Sequence, residues 1–193
     1  MTLSDRREMP TVYEAAEDSR LLAEAAAEAV GEGESVLEVG VGSGHVAEYV
    51  SEETGARVVG SDINPEACRQ AYDRDIPAVR GNLTDPFADG VFDWVLFNPP
   101  YLPTPPEQEW DDPLEHALSG GEDGRRVIRP FIADVARVLA PGGRVLLLVS
   151  SLTDIDAVTD LAAEAGFTAS EVAEEAFPFE RLVVLELLID ISE

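Results

Sequence analysis

Ser35-Val36-Leu37-Glu38-Val39-Gly40-Val41-Gly42-Ser43-Gly44 is the stretch whose reading decides the fold. Ser35 to Val39 is an apolar run of strand length, and the glycines follow it at once. The pattern from about His45 to Thr54 predicts a helix, and Arg57 to Ser61 a second strand ending at Asp62. Strand, glycine turn, helix, strand and acid, in that order, make the nucleotide-binding half of a doubly wound α/β sheet. Gly40, Gly42 and Gly44 let backbone approach a ligand closely, and the helix start offers free N–H groups.

The acids around the turn narrow the ligand. Asp62, at the tip of the second strand, suits the two ribose hydroxyls of an adenosyl group, which a nicotinamide dinucleotide would present as well. Glu38 favours one of the two, because an acid abutting the glycine turn repels a pyrophosphate. S-adenosyl-L-methionine has no phosphate and carries a cationic sulfonium and ammonium instead. A strand-end acid that merely faces solvent is the other reading of Glu38.

Upstream, Leu21, Leu22, Ala25, Ala26 and Ala29 recur at helical spacing and predict a helix from about Ala15 to Val30, ended by Gly31 and Gly33. Residues 1–12 read as a loose lead-in, so 1–33 is lead-in and helix. At the helix start stands Tyr13-Glu14-Ala15-Ala16-Glu17-Asp18-Ser19, whose acids also suit the positive end of the helix dipole. Downstream, Pro65 to Arg74 predicts a helix with proline in its first turn. Ala78 to Arg80 is a short strand leading into Gly81-Asn82-Leu83-Thr84-Asp85. In this fold that loop lies beside the adenine, where Asn82 would bond N6 or N1 and Leu83 would cover a ring face. Asn82 suits an Asx turn equally well.

Val91 to Phe97 predicts the fourth strand, which delivers Asn98-Pro99-Pro100-Tyr101 beside the glycine turn at the topological switch point. The prolines fix φ and supply no N–H, so the chain there is stiff and its carbonyls are free to accept. The Asn98 side-chain oxygen and the Pro99 carbonyl make a rigid acceptor pair for a planar NH2 group. Tyr101 is placed to pack against that plane. Asn98 is neutral and cannot remove a proton; it orients the nitrogen and stabilises the charge that develops on it.

Residues 102–121, rich in Pro, Glu and Gly, predict a long substrate-side loop, in which Trp110, His116 and Leu118 suggest a flap. Neither His116 nor His45 has a partner at metal spacing, so no metal is expected. A helix follows from Arg125 to Leu139, stopped at Ala140-Pro141-Gly142-Gly143, then an apolar strand from Arg144 to Ser150. Asp154 to Ala165 predicts a further helix, capped by Gly166. Thr168 to Ala173 and Leu182 to Ile189 predict an antiparallel hairpin joined by a loop with Pro178. With no internal repeat or linker, residues 1–193 read as one domain.

Net charge is −26, and all 13 basic residues are arginine. An acidic, lysine-free surface fits molar salt, as in halophilic archaea, because high net charge resists aggregation where screening is strong. The same charge speaks against binding a phosphate backbone, less so where the screening length is only about 3 Å. Cys68 stands alone, so no internal disulfide forms. No run has the length of a membrane span, and Met1 to Pro10 lacks the apolar core of a secretory signal, so a cytoplasmic location is expected.

Taken together these residues resemble the class I S-adenosylmethionine-dependent methyltransferases, and within them the short HemK-related protein glutamine methyltransferases of archaea and eukaryotes. The resemblance runs from about Val12 to the last strand. It is carried by Tyr13-Glu14…Glu17-Asp18-Ser19, Glu38 to Gly44, Asp62, Asn82-Leu83, the run from Asn98 to Pro106, and Gly120-Gly121…Asp123-Gly124-Arg125. It implies a Rossmann-like, seven-stranded, mostly parallel sheet with helices on both faces and a C-terminal antiparallel hairpin. It implies that Ser19 touches the methionine end of the donor, that Glu38, Gly40, Gly42, Gly44 and Ile63 line its pocket, that Asp62 binds ribose, and that Asn82 and Leu83 hold adenine. Asn98 and Pro99 would grip the target amide, with Tyr101 beside them. Two departures show: the family usually has proline where Ala15 stands, and often Asp where Asn82 stands.

The resemblance also implies a substrate and a partner. The substrate is the glutamine of the Gly-Gly-Gln loop in the class 1 translation release factor. The partner is a small activator protein, shared by several methyltransferases, that forms a heterodimer by adding a strand beside Ala78 to Arg80. Two other readings remain: a nucleic acid methyltransferase acting on an exocyclic amine of adenine or guanine, and a non-catalytic donor-binding scaffold. The acidic surface and the absence of a basic stripe weigh against the first, and the intact Asn98 to Tyr101 and Asp62 against the second.

Overall fold

In the computed structural model, which describes residues 17–105 and 118–190, β1 (Ser35–Val39) lies inside a seven-stranded sheet, third from one edge. It is flanked by β2 (Arg57–Asp62) on one side and β4 (Phe92–Phe97) on the other, both parallel to it. β3 (Ala78–Arg80) pairs with β2 and forms one edge. Beyond β4 lie β5 (Leu139–Ser150), parallel to it, then β7 (Glu180–Ile189) and β6 (Phe167–Phe177), both in antiparallel pairings. The order is β3-β2-β1-β4-β5-β7-β6. The predicted class, mostly parallel with a C-terminal antiparallel hairpin, is the one observed.

Alternation along the strands divides the core in two. Val36, Trp94, Leu96, Leu146 and Leu148 pack on one face, against α1 (Glu17–Ala29), α2 (His45–Thr54) and the end of α3 (Pro65–Tyr72). Leu37, Val39, Val95, Phe97, Val145 and Leu147 pack on the other, against α4 (Ile128–Val138) and α5 (Ile155–Glu164). Helices on both faces make near-continuous apolar strands inevitable.

Several predicted boundaries move. α3 stops at Tyr72 rather than Arg74, and α4 begins at Ile128 rather than Arg125, because residues 121–126 belong to a glycine-rich turn in which Arg126 N–H donates to the Gly120 carbonyl. β5 takes in Leu139, predicted as the end of the helix, and Ala140 to Gly143, predicted as its stop. Leu139 pairs with Phe92 and Arg144 with Trp94, so the Pro-Gly-Gly segment is looped out within a strand rather than merely stopping the preceding helix. β6 reaches Phe177 through a bulge between Glu171 and Ala173, past the predicted Ala173. Its glutamates are held by arginines: Glu171 and Glu174 by Arg181, and Glu175 by Arg20 of α1. Residues 1–16, with Tyr13, Glu14 and Ala15, and 106–117, with Trp110 and His116, lie outside the described residues. Among the described residues no helix is long and apolar enough to cross a membrane, and no group of His, Cys, Asp and Glu is set to hold a metal.

Candidate active site

The C-terminal ends of β1, β2 and β4 meet at one edge, where the order of connections reverses. The chain leaves β1 through Gly40 and Gly42, both at positive φ, and enters α2 after Gly44 at φ 84°. Gly44 is required on a second count, since a Cβ there would stand 2.9 Å from the Ala71 Cα of α3. Gly60 on β2 lets Val41 settle onto the sheet, because a Cβ would meet the Val41 side chain at 2.5 Å. The turn therefore lies close over β2, bringing Asp62 to it.

Asp62 accepts from Gly42 N–H at 3.0 Å and from Asn64 N–H at 2.8 Å. These two bonds fix the carboxylate and still leave each oxygen a lone pair for a further donor. Burial pushes its pKa up, against the backbone bonds that pull it down. Glu38 is 4 % exposed and does not face solvent as an ordinary strand-end acid would. Its Oε2 accepts from Ala47 N–H at 2.9 Å, in the first turn of α2. Gly44, at the cap position, has no side chain to do this, so an acid from the preceding strand caps the helix at long range. Burial raises the Glu38 pKa well above the ordinary carboxylate value, and the Asp62 charge adds to the rise.

At the end of β4, Pro99 is buried and Asn98 is half-buried. Asn98 Nδ2 donates to Ser19 Oγ at 3.3 Å, which joins the start of α1 to the end of β4. Tyr101 Oη donates to Asp18 Oδ2 at 3.4 Å, and Asp18 Oδ1 accepts from Ser19 N–H at 2.7 Å. Asp18 and Ser19 are both buried. Asp18 belongs to the acidic run before α1, but nothing in its spacing announces a contact with Tyr101. The structure thus brings Ser19, Asn98, Pro99 and Tyr101 together at one strand end, with Glu38, Gly40, Gly42, Gly44 and Asp62 around the adjacent turn.

Asn82 and Leu83 follow β3 on the outer side of β2. Asn82 is exposed, and its Nδ2 donates to Asp85 at 3.4 Å, leaving Oδ1 as an acceptor. Leu83 takes a left-handed φ of 48° and accepts from Ser61 Oγ at 2.9 Å through its carbonyl. Ile63, just past Asp62, is 66 % exposed. His45 is exposed and lies 3.0 Å from Arg74 through its Nε2, in keeping with an ordinary polar role.

The described ends of the 102–121 loop are zipped together. Leu102 N–H donates to the Leu118 carbonyl, Gly120 N–H to that of Leu102, and Thr104 N–H to that of Gly121. Beneath them Gly124, at φ 74°, fits between Tyr101 and the turn after β5: a Cβ there would lie 2.5 Å from both the Tyr101 carbonyl and Thr153 Cγ2. Arg125 donates to the Thr153 carbonyl, fastening the same junction.

The residues fit a cationic, phosphate-free donor. Two part-buried or buried carboxylates flank the turn, and a Cβ at Gly42 would have no neighbour closer than the Gly40 carbonyl at 3.9 Å, so the backbone there is open to a ligand.

Comparison with known proteins agrees with this geometry. The model of a methyltransferase domain matches residues 37–99. A protein of Methanocaldococcus jannaschii, provisionally described as a protein N5-glutamine methyltransferase, is 36% identical over 184 residues, 91% of each chain. Methyltransferase HEMK2 of Mus musculus is 38% identical over 148 residues, 68% of each chain. Among solved structures, the Mtq2-Trm112 complex of E. cuniculi, responsible for methylation of the eRF1 translation termination factor, matches with a TM-score of 0.77. That match has 26% identity and covers 93% of this chain and 99% of the other.

Proposed function

The chain belongs to the protein glutamine N5-methyltransferases, and from that membership we propose that it methylates the glutamine of the Gly-Gly-Gln loop in a class 1 translation release factor. The methyl donor is S-adenosyl-L-methionine, and the working form is a heterodimer with a small activator protein.

The observation that carries this reading is the state of the Asn98 amide. Its NH2 end is taken up by Ser19 Oγ, which leaves Oδ1 as the end that meets a substrate. Oδ1 and the Pro99 carbonyl are then two acceptors on a stiff backbone, matched to the two N–H bonds of a primary amide. An amide nitrogen is a poor nucleophile because its lone pair is delocalised into its carbonyl. Holding both N–H bonds orients that lone pair and stabilises the positive charge that grows on nitrogen. The donor supplies an electrophilic methyl carbon on a sulfonium; Ser19, Glu38, Gly40, Gly42, Gly44, Asp62, Ile63, Asn82 and Leu83 are the residues that would hold it. Asp62, and Glu38 where it is ionised, provide negative charge to a cationic ligand.

The activator is assigned to the β3 edge. β3 is three residues long, its outer side is unpaired within the described chain, and Val79 is 41 % exposed, with Ile63 after β2 and Tyr72 at the end of α3 more exposed still. A short edge with apolar side chains suits strand addition. A net charge of −26 supports work in molar salt and weighs against a nucleic acid substrate.

The test is transfer of labelled methyl to the release factor in about 2 M salt, with and without activator. Label is expected on the wild-type factor and absent when the Gly-Gly-Gln glutamine is changed to alanine. Label on RNA from the same cells, with none on the factor in the presence of activator, overturns the reading.

A further inference from the structure

The C-terminal hairpin turns at the same sheet edge as Asn98. Phe97 lies opposite Leu147 of β5, Ser150 of β5 opposite Leu182 of β7, and Phe177 of β6 opposite Glu180. The turn residues Pro178 and Phe179 therefore project past the ends of β4 and β5. At strand spacings Phe179 stands about 15 Å beyond the level of Asn98 and about 10 Å to its side.

Phe179 is 95 % exposed, and Leu152, in the short 3-10 turn (Ser151–Thr153) that follows β5, is 44 % exposed. Neither sits on a loose end. Arg181 N–H donates to Ser151 Oγ at 2.9 Å, and Glu180 Oε1 accepts from Ser150 Oγ at 2.6 Å, so the hairpin is fastened to the 3-10 turn. Thr153 in turn packs with the Tyr101 carbonyl around Gly124. Tyr101, Leu152 and Phe179 are thus carried on one continuous, rigid rim that starts at the amide-binding strand end.

We propose that Phe179 and Leu152 form a docking surface for the polypeptide that carries the target glutamine, gripping it away from the reacting side chain. This rests on the glutamine methyltransferase reading above. The occupant follows from distance and continuity. A span of roughly 18 Å from Asn98 is beyond a free amino acid or small amide, and is covered by about five or six extended residues. The activator edge, β3, lies at the other end of the sheet from the hairpin. The grip is apolar, so it works where the screening length is a few ångströms and charge recognition is short-ranged.

The test compares Phe179→Ser and Leu152→Ser with wild type, each as the activator complex, on two substrates: the intact release factor and a short Gly-Gly-Gln peptide with no more than about three residues on either side of the glutamine, too few to span the distance. Both variants are expected to raise KM for the intact factor about tenfold or more, with kcat, donor Kd and peptide KM unchanged. Unchanged peptide turnover shows that the variants fold. An unchanged KM for the intact factor, alongside wild-type labelling of its glutamine, overturns the docking surface alone. A change instead in oligomeric state or in activator binding assigns the hairpin to a second copy or to the activator, and overturns it as well. No labelling of that glutamine by wild type overturns the glutamine reading and the docking surface with it.

Discussion

Ser19 Oγ accepts a hydrogen bond from Asn98 Nδ2 at 3.3 Å, across 79 residues of sequence. On the proposed function, the bond sets which end of the Asn98 amide would meet a substrate, because a hydroxyl that accepts from NH2 leaves the carbonyl oxygen outward. It also ties the first turn of α1 to the end of β4, so that α1 is not a remote helix end.

Asn98→Ala is expected to keep donor binding and to lose turnover by on the order of 10² to 10³, the usual cost of one preorganised polar contact in a transition state. Ser19→Ala removes only the orienting bond, and a smaller fall in kcat, about tenfold, is expected. Single-turnover methylation, with donor Kd measured in parallel, checks both. Near-normal turnover in Asn98→Ala would exclude the amide-gripping role.

Val79→Asp places a charge in the middle of the β3 edge, where an added strand would lie. Loss of the co-purified activator is expected, with loss of whatever activity depends on it. Val91→Asp is the control: Val91 is as exposed as Val79 but precedes β4, away from that edge. Equal retention of activator by both variants would move the activator elsewhere.

The glycine turn, β1 and α2 are legible in sequence because strand length, glycine spacing and a 3.6-residue period agree there. Asn98-Pro99-Pro100-Tyr101 is legible because two prolines after an apolar run leave few conformations. What sequence hides is side-chain reach between distant segments. Asp18 reads as one acid among several at a helix start, yet its neighbour Tyr101 is 83 residues on. Glu38 reads as an acid beside the glycine turn that favours a phosphate-free donor, and its cap on α2 follows only once Gly44 is seen to offer no side chain of its own. Pro141-Gly142-Gly143 has the chemistry of a stop, but pairing of Leu139 with Phe92 continues the strand around it. The acidic second half of β6 carries weak strand propensity, and it is Arg181 and Arg20 that neutralise it.

Gly124→Ala is expected to destabilise the protein by about 2 kcal/mol or more, from a left-handed φ combined with clashes against both Tyr101 and Thr153. Gly142→Ala isolates the first part. Its φ is 81°, but a Cβ there has nothing within 4 Å, so about 1 kcal/mol is expected. Denaturant unfolding measures the difference. Because Gly124 seats Tyr101, its variant should also lose kcat under conditions where it remains folded, whereas the Gly142 variant should not.

Glu38 ties stability to pH through its burial. Its folded pKa lies well above the unfolded value, chiefly because burial penalises the charged form, with the Asp62 charge contributing. The folded state therefore holds a proton that the unfolded state has released, between roughly pH 4.3 and the raised folded value. Stability falls as pH rises through that window, and above it the penalty for the buried charge is present in full. Glu38→Gln keeps an acceptor for Ala47 N–H and removes the charge. In the absence of donor the variant is expected to melt higher than wild type near pH 8, with the difference closing toward about pH 4.5. The same substitution should weaken binding of the cationic donor most at high pH, where wild-type Glu38 is charged. Melting curves and donor Kd across that range test the two together. A melting difference that does not vary with pH would mean that Glu38 is ionised in the free protein throughout, and that its carboxylate is held by contacts stronger than the Ala47 bond.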